Sequence, residues 1–198
     1  MSTYQAPLAD MRFALFDVLG AETVFQRLGY AEATRDVLDA VLEEAARFTG
    51  TVLAPLNAVG DREGCKLDRD TGAVTTPTGF KQAYTQYVDG GWAGLTSPPE
   101  FGGQGMPHAA GVPLKEMIDA ANLSWGNFPL LSHGATEALL HYGEAWQQEA
   151  FLKPLVEGRW TGTMCLTEPH SGPDLGLLKT RAEPQADGSH AITGTKIF

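Results

Sequence analysis

The sequence predicts an α+β protein in which helices come first and antiparallel strands follow. Up to Trp160, apolar residues recur at intervals of three and four, which is the period of an amphipathic helix. From Trp160 onward, apolar and polar residues alternate in short runs separated by turns, which is the period of a β-strand. Helices and strands that are segregated along the chain are typical of the α+β class.

The first two predicted helices lie at the N-terminal end. One spans residues 8–19 and ends before Gly20, because glycine readily terminates a helix. The other spans about residues 32–53, with its apolar side chains on one face. We expect Pro55 to stop this second helix, since proline has no backbone N–H to donate.

The helical period is lost between residues 57 and 79. Residues 66–68 and 73–75 flank the polar segment 69–72, Arg-Asp-Thr-Gly, which predicts a small hairpin on an Asp/Gly turn. The same acidic residues faintly resemble a calcium-binding loop. Because the third acid and the distal glutamate of an EF-hand are missing, we favour the hairpin.

Four further helices are predicted, at residues 80–88, 112–123, 130–142 and 145–156. Pro129 suits the start of the third of these, because a proline at the first helical position loses no hydrogen bond. Gly126 and Gly143 suit the breaks between neighbouring helices.

Short strands are predicted at residues 161–167, 179–183 and 190–193, and another begins at Lys196. So few strands leave unpaired edges and an uncovered apolar face. We therefore expect the start of an antiparallel β-barrel-like domain that is truncated. A naturally small β-subdomain is the alternative.

Four segments carry family signatures in matching order and spacing. Residues 164–174, Met-Cys-Leu-Thr-Glu-Pro-His-Ser-Gly-Pro-Asp, resemble the flavin-binding signature of the acyl-CoA dehydrogenases. Residues 94–105, 151–158 and 192–196 resemble three further signatures of that family. Residues 4–13 resemble the N-terminal extension of its 3-methylmercaptopropionyl-CoA dehydrogenase-like subgroup. The resemblance covers essentially the whole chain.

This resemblance implies a division into three regions. Residues 1–33 form an N-terminal extension, residues 34–159 the helical N-terminal domain, and residues 160–198 part of the β middle domain. The C-terminal four-helix domain of the family is absent from the chain.

The resemblance also implies an FAD site at the flavin-binding signature. Thr167 is expected to hydrogen-bond the edge of the flavin ring, and the backbone of Leu166 its pyrimidine side. Met164 is expected to pack on the ring. Cys165 and Gly172 belong to the same signature and are expected to bind the cofactor. The alternative for this segment is structural: Thr167 only ends a strand, and Met164 is a core residue.

Pro173 is the departure from the signature that bears most on binding. The family usually has serine or threonine here, which reaches both the flavin pyrophosphate and the pantetheine arm of CoA. We therefore assign Pro173 to cofactor binding and substrate binding, although proline has neither a hydroxyl nor an N–H. Ser171 is not assumed to replace the missing hydroxyl. His170 either contacts a phosphate or is an exposed loop residue, and we favour the exposed residue.

Other motifs are weaker. The glycines of 102–105 lie between prolines and lack the preceding strand and following helix of a dinucleotide loop. His133 and His141 lack the spacing of a helical metal pair, and the sequence offers no third ligand, so no metal site is predicted.

Composition excludes several classes of protein. A formal net charge of -10 argues against a nucleic-acid partner. The 2 cysteines exclude a disulfide framework. No apolar run approaches the ~20 residues that span a bilayer, and no secretory signal is visible. We expect a cytoplasmic location, although a matrix enzyme without its transit peptide has the same features.

The function implied by the resemblance is FAD-dependent oxidation of acyl-CoA to 2,3-enoyl-CoA. In the family, a glutamate beyond the β-domain removes the α-proton, so no catalytic residue is assigned here and we expect the chain alone to be inactive. The implied partners are an acyl-CoA thioester, an electron-transfer flavoprotein and further copies of the full-length chain. The alternatives are a non-catalytic helical interaction module and a flavin oxidase of the same superfamily.

Overall fold

The chain divides into two compact units: the first ends at Gly162 and contains the α-helices and one short hairpin, and the second starts at Thr163 and contains a further pair of strands. The computed structural model describes residues 4–197. Helices followed by antiparallel strands confirm the predicted α+β class. The helices are α1 Leu8–Arg12, α2 Ala21–Arg27, α3 Arg35–Phe48, α4 Ala54–Glu63, α5 Phe80–Asp89, α6 His108–Tyr142, α7 Ala145–Gln147 and α8 Lys153–Val156. The strands are β1 Lys66–Leu67, β2 Val74–Thr75, β3 Arg181–Pro184 and β4 His190–Thr193.

Three π-helical turns extend or join these helices: Phe13–Val18 follows α1, Thr49–Leu53 joins α3 to α4, and Gln148–Leu152 joins α7 to α8. With the π-helical turn after α1, the first helical segment ends at Val18, one residue before its predicted end. Gly20 then adopts a φ of 55° immediately before α2. The sequence analysis did not anticipate α2, which buries Ala21 and Phe25.

The prediction that Pro55 stops the second helix was wrong. The chain remains helical from Arg35 to Glu63, and Pro55 lies in the first turn of α4. The π-helical turn Thr49–Leu53 changes the hydrogen-bond pattern immediately before the proline. The Thr51 hydroxyl also donates to the Arg47 carbonyl at 2.7 Å. A proline is tolerated here because it lies where a new helical pattern begins.

The break in α6 lies at Asn122, whose φ of -162° and ψ of 84° are not helical. Its Oδ1 accepts the Trp125 N–H at 3.1 Å, so the side chain caps the second half of the helix. The predicted break at Gly126 and helix start at Pro129 were therefore wrong. Asparagine caps the new helix earlier, and Pro129 lies inside it.

The core of the helical unit is apolar and aromatic. Leu53 and Met117 are fully buried, and Leu38 and Leu42 lie beside them in the same cluster. The Trp125 ring centroid lies 6.2 Å from that of Phe48 and 5.5 Å from that of Tyr87. Burial raises the pKa of the Tyr87 hydroxyl.

The predicted hairpin at residues 66–75 is confirmed. Lys66 pairs with Thr75 and Leu67 with Val74 in antiparallel register. Asp68 Oδ1 accepts the Asp70 N–H at 2.9 Å and the Thr71 N–H at 3.2 Å, as expected of a turn.

In the second unit, β3 and β4 form an antiparallel pair with Arg181 opposite Thr193. The strand predicted at residues 190–193 is confirmed, and the one before it is shifted to Arg181–Pro184. The strand predicted at residues 161–167 was wrong, because an alternating pattern makes a strand only when a ladder partner is present. Among the described residues, one backbone hydrogen bond joins this segment to the C-terminal end, from the Ile197 N–H to the Thr167 carbonyl at 2.9 Å.

Candidate functional site

A cavity of about 320 Å³ opens within the helical unit. Ligand pockets of this size are usually apolar with a few polar groups. Its lining is mainly apolar and aromatic, with contributions from α5, α6, α8 and the loop that follows α5. The lining residues are Tyr84, Tyr87, Trp92, Ala93, Leu95, Thr96, His108, Gly111, Val112, Leu114, Lys115, Ile118, Gly126, Pro129, Leu130, Ser132, His133, Thr136, Leu155 and Gly158.

Close helix packing shapes the cavity. The two halves of α6 approach one another at Gly126, where an added Cβ would lie 2.8 Å from Ile118 Cγ2. At the end of α8, Gly158 has a φ of 70°, and its carbonyl accepts the Tyr84 hydroxyl at 3.0 Å. A side chain at either glycine would enter space that the neighbouring helix already occupies.

The polar groups of the lining include hydroxyls and imidazoles. The Thr136 hydroxyl donates to the Ser132 carbonyl at 3.0 Å, and the Ser132 hydroxyl accepts the Gly162 N–H at 3.1 Å. Among the described residues that line the cavity, none is an aspartate or a glutamate. The cavity therefore offers a binding volume without a carboxylate base.

The glycine-rich loop at residues 94–105 borders the same region. An added Cβ at Gly103 would lie 2.0 Å from the Ser97 carbonyl oxygen. Two backbone hydrogen bonds close the loop. The Gln104 N–H donates to the Gly94 carbonyl at 2.8 Å, and the Gly105 N–H donates to the Ser97 carbonyl at 2.9 Å. Its glycines permit this close backbone approach, which agrees with the interpretation that the loop does not cradle a dinucleotide.

A group of histidines and a glutamate lies beside the cavity. One ligand atom from each of His108, His133 and Glu137 lies within 4.8 Å of the others. His141 Nε2 lies 3.3 Å from Glu137 Oε2. The sequence offered no third ligand beside His133 and His141, because His108 belongs to the other half of the broken helix.

The flavin-binding signature begins as an exposed extended segment in the second unit. Met164 is 62% exposed and Leu166 38% exposed. No described residue accepts a hydrogen bond from the amides of residues 164–167, or from the Thr167 hydroxyl. Donors and apolar side chains are thus presented together, which fits a planar ligand with hydrogen-bonding edges. Cys165 is likewise exposed and forms no disulfide, and its Sγ lies 3.8 Å from Thr163 Oγ1.

Glu168 anchors this segment within its own unit. Its carboxylate accepts the Lys179 N–H at 2.8 Å and the Thr180 N–H at 2.9 Å, and Lys196 Nζ lies 2.9 Å away. Donors from Thr180, Lys179 and Lys196 hold the pKa of the Glu168 carboxyl well below its ordinary value. These contacts occupy the carboxylate in structure rather than in proton transfer.

The residues of the loop after Glu168 differ in whether a hydroxyl or an amide is available to a ligand. The Ser171 hydroxyl is buried and donates to the Asp174 carbonyl at 2.7 Å, so it is not available in place of a hydroxyl at Pro173. Gly172 and Pro173 are both exposed. His170 Nε2 lies 3.0 Å from the Leu177 carbonyl oxygen and 3.2 Å from Glu168 Oε2. The loop thus supplies a free amide at Gly172 and none at Pro173.

Comparison with known proteins identifies the family. The profile described as "Acyl-CoA dehydrogenase, N-terminal domain" matches residues 36–159, more than half of the chain. The chain belongs to the acyl-CoA dehydrogenase family. It is 44% identical over 196 residues to 3-methylmercaptopropionyl-CoA dehydrogenase of Ruegeria pomeroyi, covering 99% of this chain and 33% of the relative. The predicted family and subgroup resemblance are confirmed.

Solved structures share the fold. Butyryl-CoA dehydrogenase from Megasphaera elsdenii superposes with a TM-score of 0.68 at 24% identity, covering 82% of this chain and 40% of that one. An FAD complex of PigA superposes with a TM-score of 0.66 at 18% identity, covering 82% and 39%. The chain spans about a third of the length of the curated relative from Ruegeria pomeroyi.

The flavin-binding signature was predicted from the sequence, whereas the cavity was not. The cavity residues come from helices and loops whose packing no short motif records. One local signal was present for the histidine–glutamate group, since Glu137 stands four positions from both His133 and His141. In the part of the chain that the structure describes, no helix combines the length and apolarity needed to cross a membrane.

Proposed function

We propose that this chain supplies the acyl-binding helical domain and part of the flavin face of an FAD-dependent acyl-CoA dehydrogenase. Such an enzyme oxidises an acyl-CoA thioester to the 2,3-enoyl-CoA. Membership of the acyl-CoA dehydrogenase family supports this reaction class. The single observation that carries the assignment of this chain's own role is the largely apolar cavity of about 320 Å³ in the helical unit.

The cavity supports an acyl chain as its occupant. Ile118, Leu114 and Leu130 contribute apolar side chains, and burial of a hydrocarbon there gains roughly 25 cal/mol for each Å² of apolar surface removed from water. The absence of an acidic group among the described lining residues suits a neutral chain. His133 and Ser132 add a polar section that suits a heteroatom in some substrates.

The flavin-binding signature supports FAD as the cofactor. When bound, FAD accepts the hydride that leaves the β-carbon of the thioester. On this chain, the Thr167 hydroxyl and amide and the Leu166 amide would bind the ring edge, and Met164 would cover the ring. The Gly172 amide would reach the more polar part of the cofactor, together with contacts at Cys165 and Pro173.

The chain by itself contributes no catalytic base. In the helical unit, Glu100 and Glu116 are exposed, and Asp119 is paired with Lys115. Glu137 is paired with His108 and His141. A general base contributes about 10²–10⁴-fold to a reaction of this kind. We therefore propose that proton abstraction requires a carboxylate from outside these 198 residues, and that an electron-transfer flavoprotein receives the electrons.

The test fuses residues 1–198 to the remaining two thirds of the 44% identical relative and compares the fusion with that parent enzyme. We expect the fusion to retain FAD and to show flavin reduction when mixed anaerobically with short, medium or long acyl-CoAs. The 198-residue chain alone should show no turnover with an artificial electron acceptor.

A fusion that folds like the parent but neither binds FAD nor is reduced by any acyl-CoA would overturn the proposal. Turnover with oxygen as the preferred acceptor would instead assign an oxidase.

A further inference from the structure

His108, His133 and Glu137 lie together on the two halves of α6, away from the break at Asn122. His108 is the first residue of α6, and the other two lie four positions apart on its second half, beyond the break at Asn122. Their ligand atoms lie within 4.8 Å of one another, and the ring centroids of the two histidines are 6.0 Å apart. Two imidazoles and one carboxylate are the donor set of many three-ligand zinc sites.

The two carboxylate oxygens of Glu137 differ in their surroundings. Its Oε1 is buried and has no hydrogen-bond partner among the described residues. Its Oε2 lies 3.7 Å from His108 Nε2 and 3.3 Å from His141 Nε2. A buried carboxylate oxygen without a partner is costly. A bound cation would satisfy it directly.

We propose that His108, His133 and Glu137 form a binding site for a divalent transition-metal ion of the Zn²⁺ class. In a tetrahedral site with bonds of about 2.0–2.1 Å, the ligand atoms stand roughly 3.4 Å apart. The ligand atoms already lie within 4.8 Å of one another, and the His108 side chain, which is 58% exposed, has room to rotate toward the shorter spacing. The fourth position remains for water or a ligand.

The site borders the acyl cavity, since His108 and His133 also line it. His141 approaches Glu137 Oε2 from the next helical turn and orients the carboxylate. The proposal goes beyond the dehydrogenase reaction, which uses no metal among the residues assigned to it. A metal here would occupy the polar section of the cavity and oppose binding of a long acyl chain.

The experiment measures binding of Zn²⁺ alone to the metal-free 198-residue chain by isothermal titration calorimetry. We expect one ion per chain. His108→Gln, His133→Gln and Glu137→Gln should each weaken binding at least about tenfold. His190→Gln, an exposed histidine of β4 outside the group, is the matched control and should bind as the unchanged chain does. Circular dichroism verifies that each variant is folded.

Cobalt substitution provides a second readout that does not depend on activity. Co²⁺ bound by the chain should give the visible absorption of a tetrahedral site, and Glu137→Gln should abolish it. Equal Zn²⁺ binding by the unchanged chain and the three variants would overturn the proposal. Absence of binding by the folded, unchanged chain would do the same.

Discussion

Lys196 Nζ lies 2.9 Å from Glu168 Oε1, and the Glu168 side chain is only 1% exposed. The same carboxylate also accepts the amides of Lys179 and Thr180. One buried charge therefore joins the flavin-binding signature, the entry to β3 and the segment after β4. Every residue of β3 and β4 is exposed, so these strands bury no apolar side chains. The contacts of Glu168 hold the segments of this unit together instead.

The first prediction concerns Glu168→Gln. The neutral amide offers one acceptor oxygen in place of two and no charge, so donors around it lose their partner. We expect hydrogen exchange at the Lys179 and Thr180 amides to accelerate by about tenfold or more. Nuclear magnetic resonance on labelled chain measures this directly. Glu183→Gln is the control, because its ion pair with Arg181 is on the surface and should contribute little.

The second prediction concerns pH. The folded pKa of Glu168 lies below its ordinary value of 4.5, so the unfolded chain binds the extra proton first on acidification. The stability that this carboxylate contributes is present above that ordinary value and is lost as the pH falls through the folded pKa. Protection of the Lys179 amide should decline over this range. In Glu168→Gln this decline should be absent. A variant that shows the same decline as the original chain would refute the role of the Glu168 carboxylate.

The third prediction concerns the core residue Met117, which is fully buried between the helices. Met117→Ala removes its contacts and leaves a cavity, so we expect the free energy of unfolding to fall by about 2–5 kcal/mol. Guanidinium denaturation followed by tryptophan fluorescence measures the change. Val112→Ala on the same helix, where the side chain is 63% exposed, should change it by less than about 0.5 kcal/mol.

The fourth prediction contrasts two glycines. Gly103→Ala places a methyl group 2.0 Å from the Ser97 carbonyl oxygen, so the loop at residues 94–105 must open, and we expect a loss of about 1–3 kcal/mol. Gly134→Ala meets nothing within 4 Å and lies inside α6, so it should gain about 0.5–1 kcal/mol from helix propensity. Thermal unfolding should order the melting temperatures as Gly134→Ala, unchanged chain, Gly103→Ala.

The fifth prediction concerns Thr167, whose hydroxyl has no described partner. In the fusion enzyme, Thr167→Ala should slow flavin reduction by acyl-CoA about ten- to a hundredfold, because a hydrogen bond to a charge-accumulating group contributes roughly 1.5–3 kcal/mol. Stopped-flow absorbance measures the rate. Thr163→Ala, which removes a nearby exposed hydroxyl, is the control. Reduction at the unchanged rate would assign Thr167 to structure alone.

Features that depend on neighbours in the chain were predictable. The Asp68 turn, α5 and β4 each formed where their residues indicated, since turn chemistry and short-range periodicity act locally. The flavin-binding signature is also read from consecutive residues, and the roles of those residues stay predictions. The predictions of a helix stop at Pro55 and of a strand at residues 161–167 were wrong because both outcomes depended on structure beyond the local pattern. A π-helical turn made the proline tolerable, and the expected strand had no ladder partner.

The order of helices before strands and the family were both predictable from the amino-acid sequence, because local periodicity and contiguous motifs record them. The roles of the residues in the flavin-binding signature stay predictions. Three features became evident only in the folded chain: the position of the break in α6, the set of side chains that enclose the cavity of the helical unit, and the approach of His108 to His133 and Glu137. Asn122 caps the second half of α6 by accepting the Trp125 N–H, while its Nδ2 donates to the carbonyl of Leu53, a residue distant in the chain. Such contacts form only when separate helices pack together, and the reversal at Asn122 brings the two histidines to one place.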